Sequence, residues 1–148
     1  SRRPLLSSRG SKTMRYYIMD NFLTFWFRFV YKYINYIESG SVGLLKNIVL
    51  RDYPTFSGII LERYFRQQAC ESGCYTHIGN YWDKRGENEI DIILVNELEQ
   101  TITFGEVKRQ ADNISLGSLS VKAEHFLSLH PYLREYKSSL KTFSLADL

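Results

Sequence analysis

The clearest hydrophobic pattern in the chain covers residues 20–38. Apolar residues recur there at i, i+3, i+4 and i+7, which is the spacing of an amphipathic helix. This stripe consists of Phe22, Phe25, Trp26, Phe29, Val30, Tyr33, Ile34 and Ile37. Asp20 and Asn21 are both suitable N-caps. Aromatic residues off the stripe (Phe27, Tyr31 and Tyr36) predict that this helix is buried on more than one side.

Two further helices are predicted before the pattern changes. Residues 41–52 read as a helix capped by Ser41, and Pro54 is expected to break or restart the chain. Residues 55–71 then form a third helix, which Gly73 ends.

The second part of the chain has the two-residue period of β-strands. Strands are predicted over residues 75–83, 89–96, 101–108 and 136–145, with a helix over 116–130 before the last of them. The polar turn at 97–100 makes its two flanking strands antiparallel. From the third helix onward the order is α-β-β-β-α-β, so the fold class is α/β, with a mixed sheet preceded by N-terminal helices.

Composition supports a folded domain. The 148 residues are 44% hydrophobic and 15% aromatic, whereas disordered chains are poor in aromatics. No apolar run approaches the ~18 residues of a membrane helix, so no membrane association is expected. Residues 1–19 are expected to be a linker or the tail of a preceding domain, because the chain starts at Ser1 and its first 15 residues are rich in Ser, Arg and Gly; 20–148 is the domain proper.

The two cysteines form no disulfide framework, which favours a cytoplasmic location. Charge is distributed unevenly along the chain. Residues 1–74 carry 11 Lys and Arg against 5 Asp and Glu, and residues 75–148 carry 8 against 11. The first part is therefore net +6 and rich in aromatics, which is compatible with nucleic-acid binding but too weak to establish it.

The candidate chemistry lies on two neighbouring strands. Glu106 and Lys108 are two residues apart, so they project from the same strand face, and Asp91 on the preceding strand can meet them across the hairpin. Two converging carboxylates suit Mg²⁺ or Mn²⁺. An adjacent lysine can orient a water or stabilise charge on a phosphate. These are the components that phosphodiester hydrolysis requires.

An alternative interpretation is that these three residues are solvated surface charges. The apolar neighbours argue against it, because Asp91 lies within a run of Ile, Leu and Val, and Ile102 and Phe104 precede Glu106. Charges embedded in core strands need a partner or a metal. Gly105 also permits close approach of a ligand or of backbone.

Charged residues near this motif have two interpretations each. Glu87 and Glu89 either join a second metal or keep the end of the strand soluble. Lys84 and Arg85 either contact the phosphate backbone of a nucleic acid or form an ordinary basic turn. A zinc site is disfavoured, because Cys70, Cys74 and His77 are only three of the four ligands that closed zinc sites use.

Asp91 followed by Glu106-Val107-Lys108 resembles the PD-(D/E)XK motif of the restriction-endonuclease-like nuclease superfamily, whose core also has the α-β-β-β-α-β order. Ile90 stands where the motif's name has proline. The resemblance implies a further acid on the first core helix, which Glu62 matches. It also implies an assisting basic or polar residue on the helix after the motif, for which Lys122 is the candidate.

A narrower resemblance covers most of the chain. The stretches RYYIMDNFLTFWFRFVYKY, GIILERYFRQ, IGNYWDKRGENEIDIILVN and FGEVK resemble a domain of unknown function at the C-terminus of prokaryotic AAA+-type ATPases. There it follows a P-loop domain and a winged helix, and residues 1–19 would be the tail of the latter. No P-loop motif G-x-x-x-x-G-K-[ST] occurs in this chain.

The two resemblances imply a nuclease that cleaves nucleic acid, with DNA expected as the substrate. They imply that Glu62, Asp91 and Glu106 bind Mg²⁺ or Mn²⁺. They also imply the upstream ATPase and winged-helix domains as partners. The alternative is a non-catalytic interaction module, which docks on that ATPase or forms a homodimer through its aromatic helix.

Overall fold

A computed structural model describes residues 3–7, 14–110 and 115–148. The helices are α1 (Asn21–Phe25), α2 (Ile34–Glu38), α3 (Val42–Glu71) and α4 (Leu116–Leu129). A π-helix (Trp26–Val30) and a 3-10 helix (Tyr31–Tyr33) join α1 to α2, and 3-10 helices also form at Pro131–Leu133 and Leu145–Asp147. The strands are β1 (His77–Tyr81), β2 (Ile90–Asn96), β3 (Thr101–Val107) and β4 (Lys137–Phe143).

The four strands form one sheet in the order β1-β2-β3-β4. β1, β2 and β3 pair antiparallel through short connections, whereas β4 pairs parallel with β3. A parallel neighbour requires a crossover, and α4 supplies it. The predicted α/β class, the α-β-β-β-α-β order and the mixed sheet are therefore confirmed.

Each face of the sheet has its own hydrophobic core. On one face, α3 packs Leu61 and Phe65 against side chains of β2, β3 and β4. On the other face, α4 packs Leu119, Ala123 and Phe126 against β2 and β3. This double cover explains why β2 reads as an almost continuous apolar run, since both of its faces are buried.

The prediction that Pro54 separates two helices is wrong. Residues 42–71 form one helix, and Pro54 lies inside it. Proline at this position lacks the N–H that would bond to the carbonyl of Leu50. Pro54 and Leu50 are both exposed, so water can satisfy that carbonyl and the helix continues.

The aromatic segment is helical as predicted, with Asp20 as N-cap accepting the Leu23 N–H at 2.8 Å. Its winding is irregular, because a π-helix and a 3-10 helix interrupt it. Phe29 is buried at 1% exposure, whereas Phe22 and Tyr31 are 67% and 64% exposed. The described residues of this chain therefore do not bury the second face of this helix, although the sequence predicts its burial.

Part of the predicted linker contacts the domain. Pro4 is buried, and the Leu5 N–H donates to the Asn80 backbone carbonyl at 2.9 Å. The Leu5 side chain packs on the α4-side core and closely approaches Gly79. Whether residues 1–19 belong to a preceding domain stays a prediction. The described residues contain no helix that could span a membrane.

Candidate active site

The site begins where the pairing of β2 and β3 stops. Their register ends at Ile92 opposite Gly105, although β2 starts at Ile90 and β3 runs on to Val107. The two strands therefore separate at Asp91. The Asp91 carboxylate occupies this opening, where its Oδ2 accepts the Val107 N–H at 2.8 Å.

A β-bulge sets the position of Asp91. Gly79 pairs with Ile93 and Tyr81 with Ile90, so Asp91 and Ile92 together lie opposite Asn80. An extra residue of this kind disturbs the ladder and redirects side chains. The Asp91 carbonyl instead accepts a hydrogen bond from Arg66 of α3 at 2.7 Å. Arg66, which is buried on α3, thus holds the bulge in place.

Glu62 faces Asp91 from α3. Both line a cavity of about 280 Å³, together with Arg15, Arg63 and Arg66. Burial raises the pKa of Glu62 to about 7, repulsion from Asp91 adds to the rise, and Arg66 at 3.5 Å opposes it. Glu62 therefore exchanges a proton near neutral pH, which is the range in which an acid-base group is most effective.

Asp91 also has a raised pKa, and burial is the largest cause. The bond from the Val107 N–H and the charge of Lys108 lower this pKa, whereas Glu106 and Glu89 raise it. A carboxylate that is buried and repelled by neighbouring acids gains from a bound cation. The surroundings of Asp91 therefore favour a role for its carboxylate as a metal ligand.

Glu106 and Lys108 form an ion pair of 3.2 Å between Oε1 and Nζ. Val107 belongs to the core on the α3 side, so alternation turns the Glu106 side chain away from that side. The other oxygen, Oε2, is buried and has no hydrogen-bond partner among the described residues. An orphaned buried carboxylate oxygen at this point fits a cation that the protein does not itself supply.

The four predicted site residues lie around one end of the sheet. Glu62, Val107 and Lys108 line a second cavity of about 670 Å³ at this end. Within the parts of the chain that the structure describes, no three His, Cys, Asp or Glu side chains are grouped closely enough to hold a metal. Magnesium is nevertheless often held by one or two carboxylates, with water and substrate phosphate completing its shell. The ligand set of Glu62, Asp91 and Glu106 stays a prediction.

The other predicted contacts are dispersed. Lys84 and Arg85 are exposed in the turn before β2, and Lys122 is half-buried on α4. Glu89 forms an ion pair with Arg15 at 2.6 Å, which gives it a structural partner. The roles predicted for these residues in nucleic-acid or metal binding remain predictions.

The zinc alternative involves residues with other surroundings. Cys70 and Cys74 are exposed free thiols. His77 Nε2 lies 3.0 Å from the Glu97 carboxylate, across the β1–β2 pair.

Sequence reasoning missed the arginines of α3. Arg66 lies four residues after Glu62, a spacing that places two side chains on one helix face. That signal was present in the sequence. The contact of Arg66 with the Asp91 carbonyl was not, because it depends on the bulge.

Comparisons with known proteins place the sequence of this chain in a family. Residues 26–122, which include all four site residues, match the DUF234 family, described as archaeal and bacterial proteins of unknown function. An uncharacterised protein of Methanocaldococcus jannaschii is 33% identical over 112 residues, which is 71% of this chain. The chain spans only a quarter of that relative's length. No solved structure matches the chain. The chain is a member of the DUF234 family.

Proposed function

We propose that this domain is a metal-dependent nuclease of the PD-(D/E)XK type, which hydrolyses the phosphodiester bonds of nucleic acid. The observation that carries the proposal is the opening between β2 and β3. There Asp91, the Glu106–Lys108 pair and Glu62 surround one end of the sheet, with raised pKa values at both Glu62 and Asp91.

Asp91 and the unpartnered oxygen of Glu106 would hold Mg²⁺ or Mn²⁺, and Glu62 on the α3 side would act as a proton acceptor. The bound cation would polarise the phosphate and lower the pKa of a water. Lys108, 44% exposed, lies beside Glu106 and can orient the attacking water or stabilise charge on the phosphate. Glu62, with its pKa of about 7, can take a proton at neutral pH.

The proposed compartment, neighbouring domains and substrate follow from the sequence resemblance. The domain would act in the cytoplasm as the C-terminal part of an ATPase with P-loop and winged-helix domains. DNA would be its substrate. The length of the archaeal relative, four times the matched part, is compatible with such a larger protein.

The proposal is tested by incubating the purified chain with DNA and with RNA in Mg²⁺, Mn²⁺ or EDTA. Cleavage is expected with either metal and not with EDTA. Lys108→Ala is expected to lower the rate about 100- to 1000-fold, the usual effect of removing one transition-state donor. The matched control is Lys46→Ala, which removes an exposed lysine on the remote half of α3. Absence of cleavage, or equal rates for Lys108→Ala and the wild type, would refute the proposal that this domain is a nuclease.

The second candidate is a non-catalytic interaction module, and exposed aromatic residues favour it. Phe22 stacks on Trp26 and Phe27 packs edge-on against Tyr31, yet these four side chains remain exposed. Contiguous apolar surface of this kind marks interaction sites. If the surface forms a homodimer, sedimentation should give a dimer that Phe22→Ser with Tyr31→Ser converts to a monomer. Tyr132→Ser, at an exposed site near α4, is the control. A wild-type monomer would exclude the homodimer.

A further inference from the structure

A third cavity, distinct from the one beside Lys108, continues from the first cavity, which holds Glu62 and Asp91. It measures about 490 Å³ and shares Met19, Arg63, Arg66 and Asn80 with the first. Arg3, Gln67 and Cys70 also line it. Three guanidinium groups thus line a concave surface that leads directly to the proposed catalytic acids, which we call the arginine cavity.

Arg63 supplies the main observation. Its NH1 atom is buried and has no hydrogen-bond partner among the described residues. Its guanidinium lies over the Tyr17 ring at 6.0 Å, a contact that positions the group without using its N–H donors. A buried guanidinium nitrogen without an acceptor is costly, and a ligand oxygen would remove that cost.

Asn80 is a second donor to the same space. It is only 8% exposed, it lines both cavities, and it lies opposite the Asp91 bulge. The side-chain amide of Asn80 forms no hydrogen bond within the described part of the chain. The backbone carbonyl of Asn80 accepts the Leu5 N–H. The amide is therefore available to a ligand in either cavity.

We propose that the arginine cavity binds the phosphate backbone of a nucleic-acid strand, beside the bond to be cleaved. Arg63 would bind one phosphate through two parallel N–H donors of its guanidinium group. Asn80 and the other two arginines of the cavity, Arg3 and Arg66, would add a further donor and positive charge around that phosphate. This inference deepens the nuclease proposal and rests on it. It also predicts the path of the bound nucleic acid across the domain, which would run from the opening between β2 and β3 along α3 towards Cys70.

The two cysteines provide a test that does not depend on cleavage. Cys70 lines the arginine cavity, and Cys74 is an exposed thiol a few residues on. The full chain is alkylated with iodoacetamide in EDTA, with and without a single-stranded DNA oligonucleotide, and each site is quantified by mass spectrometry. DNA is expected to slow alkylation of Cys70 at least several-fold and to leave Cys74 unchanged. An oligonucleotide with neutral methylphosphonate linkages should protect neither site.

Variants test the same contact by affinity. Arg63→Gln is expected to weaken DNA binding and to reduce the salt dependence of log K by about one phosphate contact. The exposed Arg134→Gln on the α4 side is the matched control. Should Arg63→Gln fail to fold, Cys70→Glu places a negative charge in the cavity at an exposed position, and Cys74→Glu is its control. Cys70→Glu alone should weaken binding.

The outcomes separate this inference from the nuclease proposal. Equal protection of both cysteines, or unchanged binding by Arg63→Gln and Cys70→Glu, overturns the arginine cavity as a binding site even if the protein cleaves DNA. Selective protection of Cys70 without cleavage supports the cavity and overturns the nuclease. Protection by the methylphosphonate oligonucleotide would overturn phosphate as the recognised group.

Discussion

Asp91→Asn is expected to reduce the cleavage rate by orders of magnitude while leaving the fold intact. The asparagine Oδ1 can still accept the Val107 N–H, but the charge that would hold the metal is gone. Several kcal/mol of charge stabilisation by the metal would be lost, so the cleavage rate should fall about a thousandfold. Urea unfolding should show no loss of stability at pH 8, because repulsion between Asp91 and Glu62 is removed as well.

Asp91→Ala is the informative comparison. It removes the acceptor as well as the charge and leaves the Val107 N–H without its partner. We expect it to be equally inactive but less stable by about 1–3 kcal/mol. Cleavage retained by Asp91→Asn would contradict the site, and equal stabilities of the two variants would contradict the structural role of this hydrogen bond.

Glu62→Gln is expected to stabilise the protein in a manner that depends on pH. The pKa of Glu62 rises from 4.5 to about 7 on folding, so between these values the folded state binds more protons than the unfolded state. Stability from this group is therefore complete below about pH 4.5 and declines until about pH 7. Glutamine remains neutral at every pH. The variant should match the wild type near pH 4.5 and exceed it by up to about 3 kcal/mol at pH 8.

This pH dependence is measured by urea unfolding from pH 4.5 to 8. Glu124→Gln, which changes an exposed acid on α4, is the control and should give no such trend. Saturating Mg²⁺ should reduce the difference at pH 8, because a cation near Glu62 stabilises its charged form. A constant difference across the pH range would show that Glu62 titrates at an ordinary pKa.

Much of the site follows from local pattern. Glu106 and Lys108 are two residues apart on a strand, and the structure joins them at 3.2 Å. The apolar neighbours of Asp91 predicted a buried strand, and Ile90, Ile92 and Ile93 are almost completely buried. The helix over residues 42–71 was harder to predict, because the effect of Pro54 depends on whether water reaches the freed carbonyl.

The α/β class, the order of the elements and the strands that carry Asp91, Glu106 and Lys108 can all be predicted from the pattern of residues along the chain. These follow from hydrophobic period and turn residues, which act over a few neighbouring positions. The directions in which the carboxylates point depend instead on contacts between residues that are distant in the chain. The bulge opposite Asn80 and the early end of the β2–β3 ladder arise from how strands pair. The raised pKa of Glu62 and the orphaned Arg63 nitrogen likewise require α3 to cover this end of the sheet, because burial and repulsion are properties of residues distant in the chain.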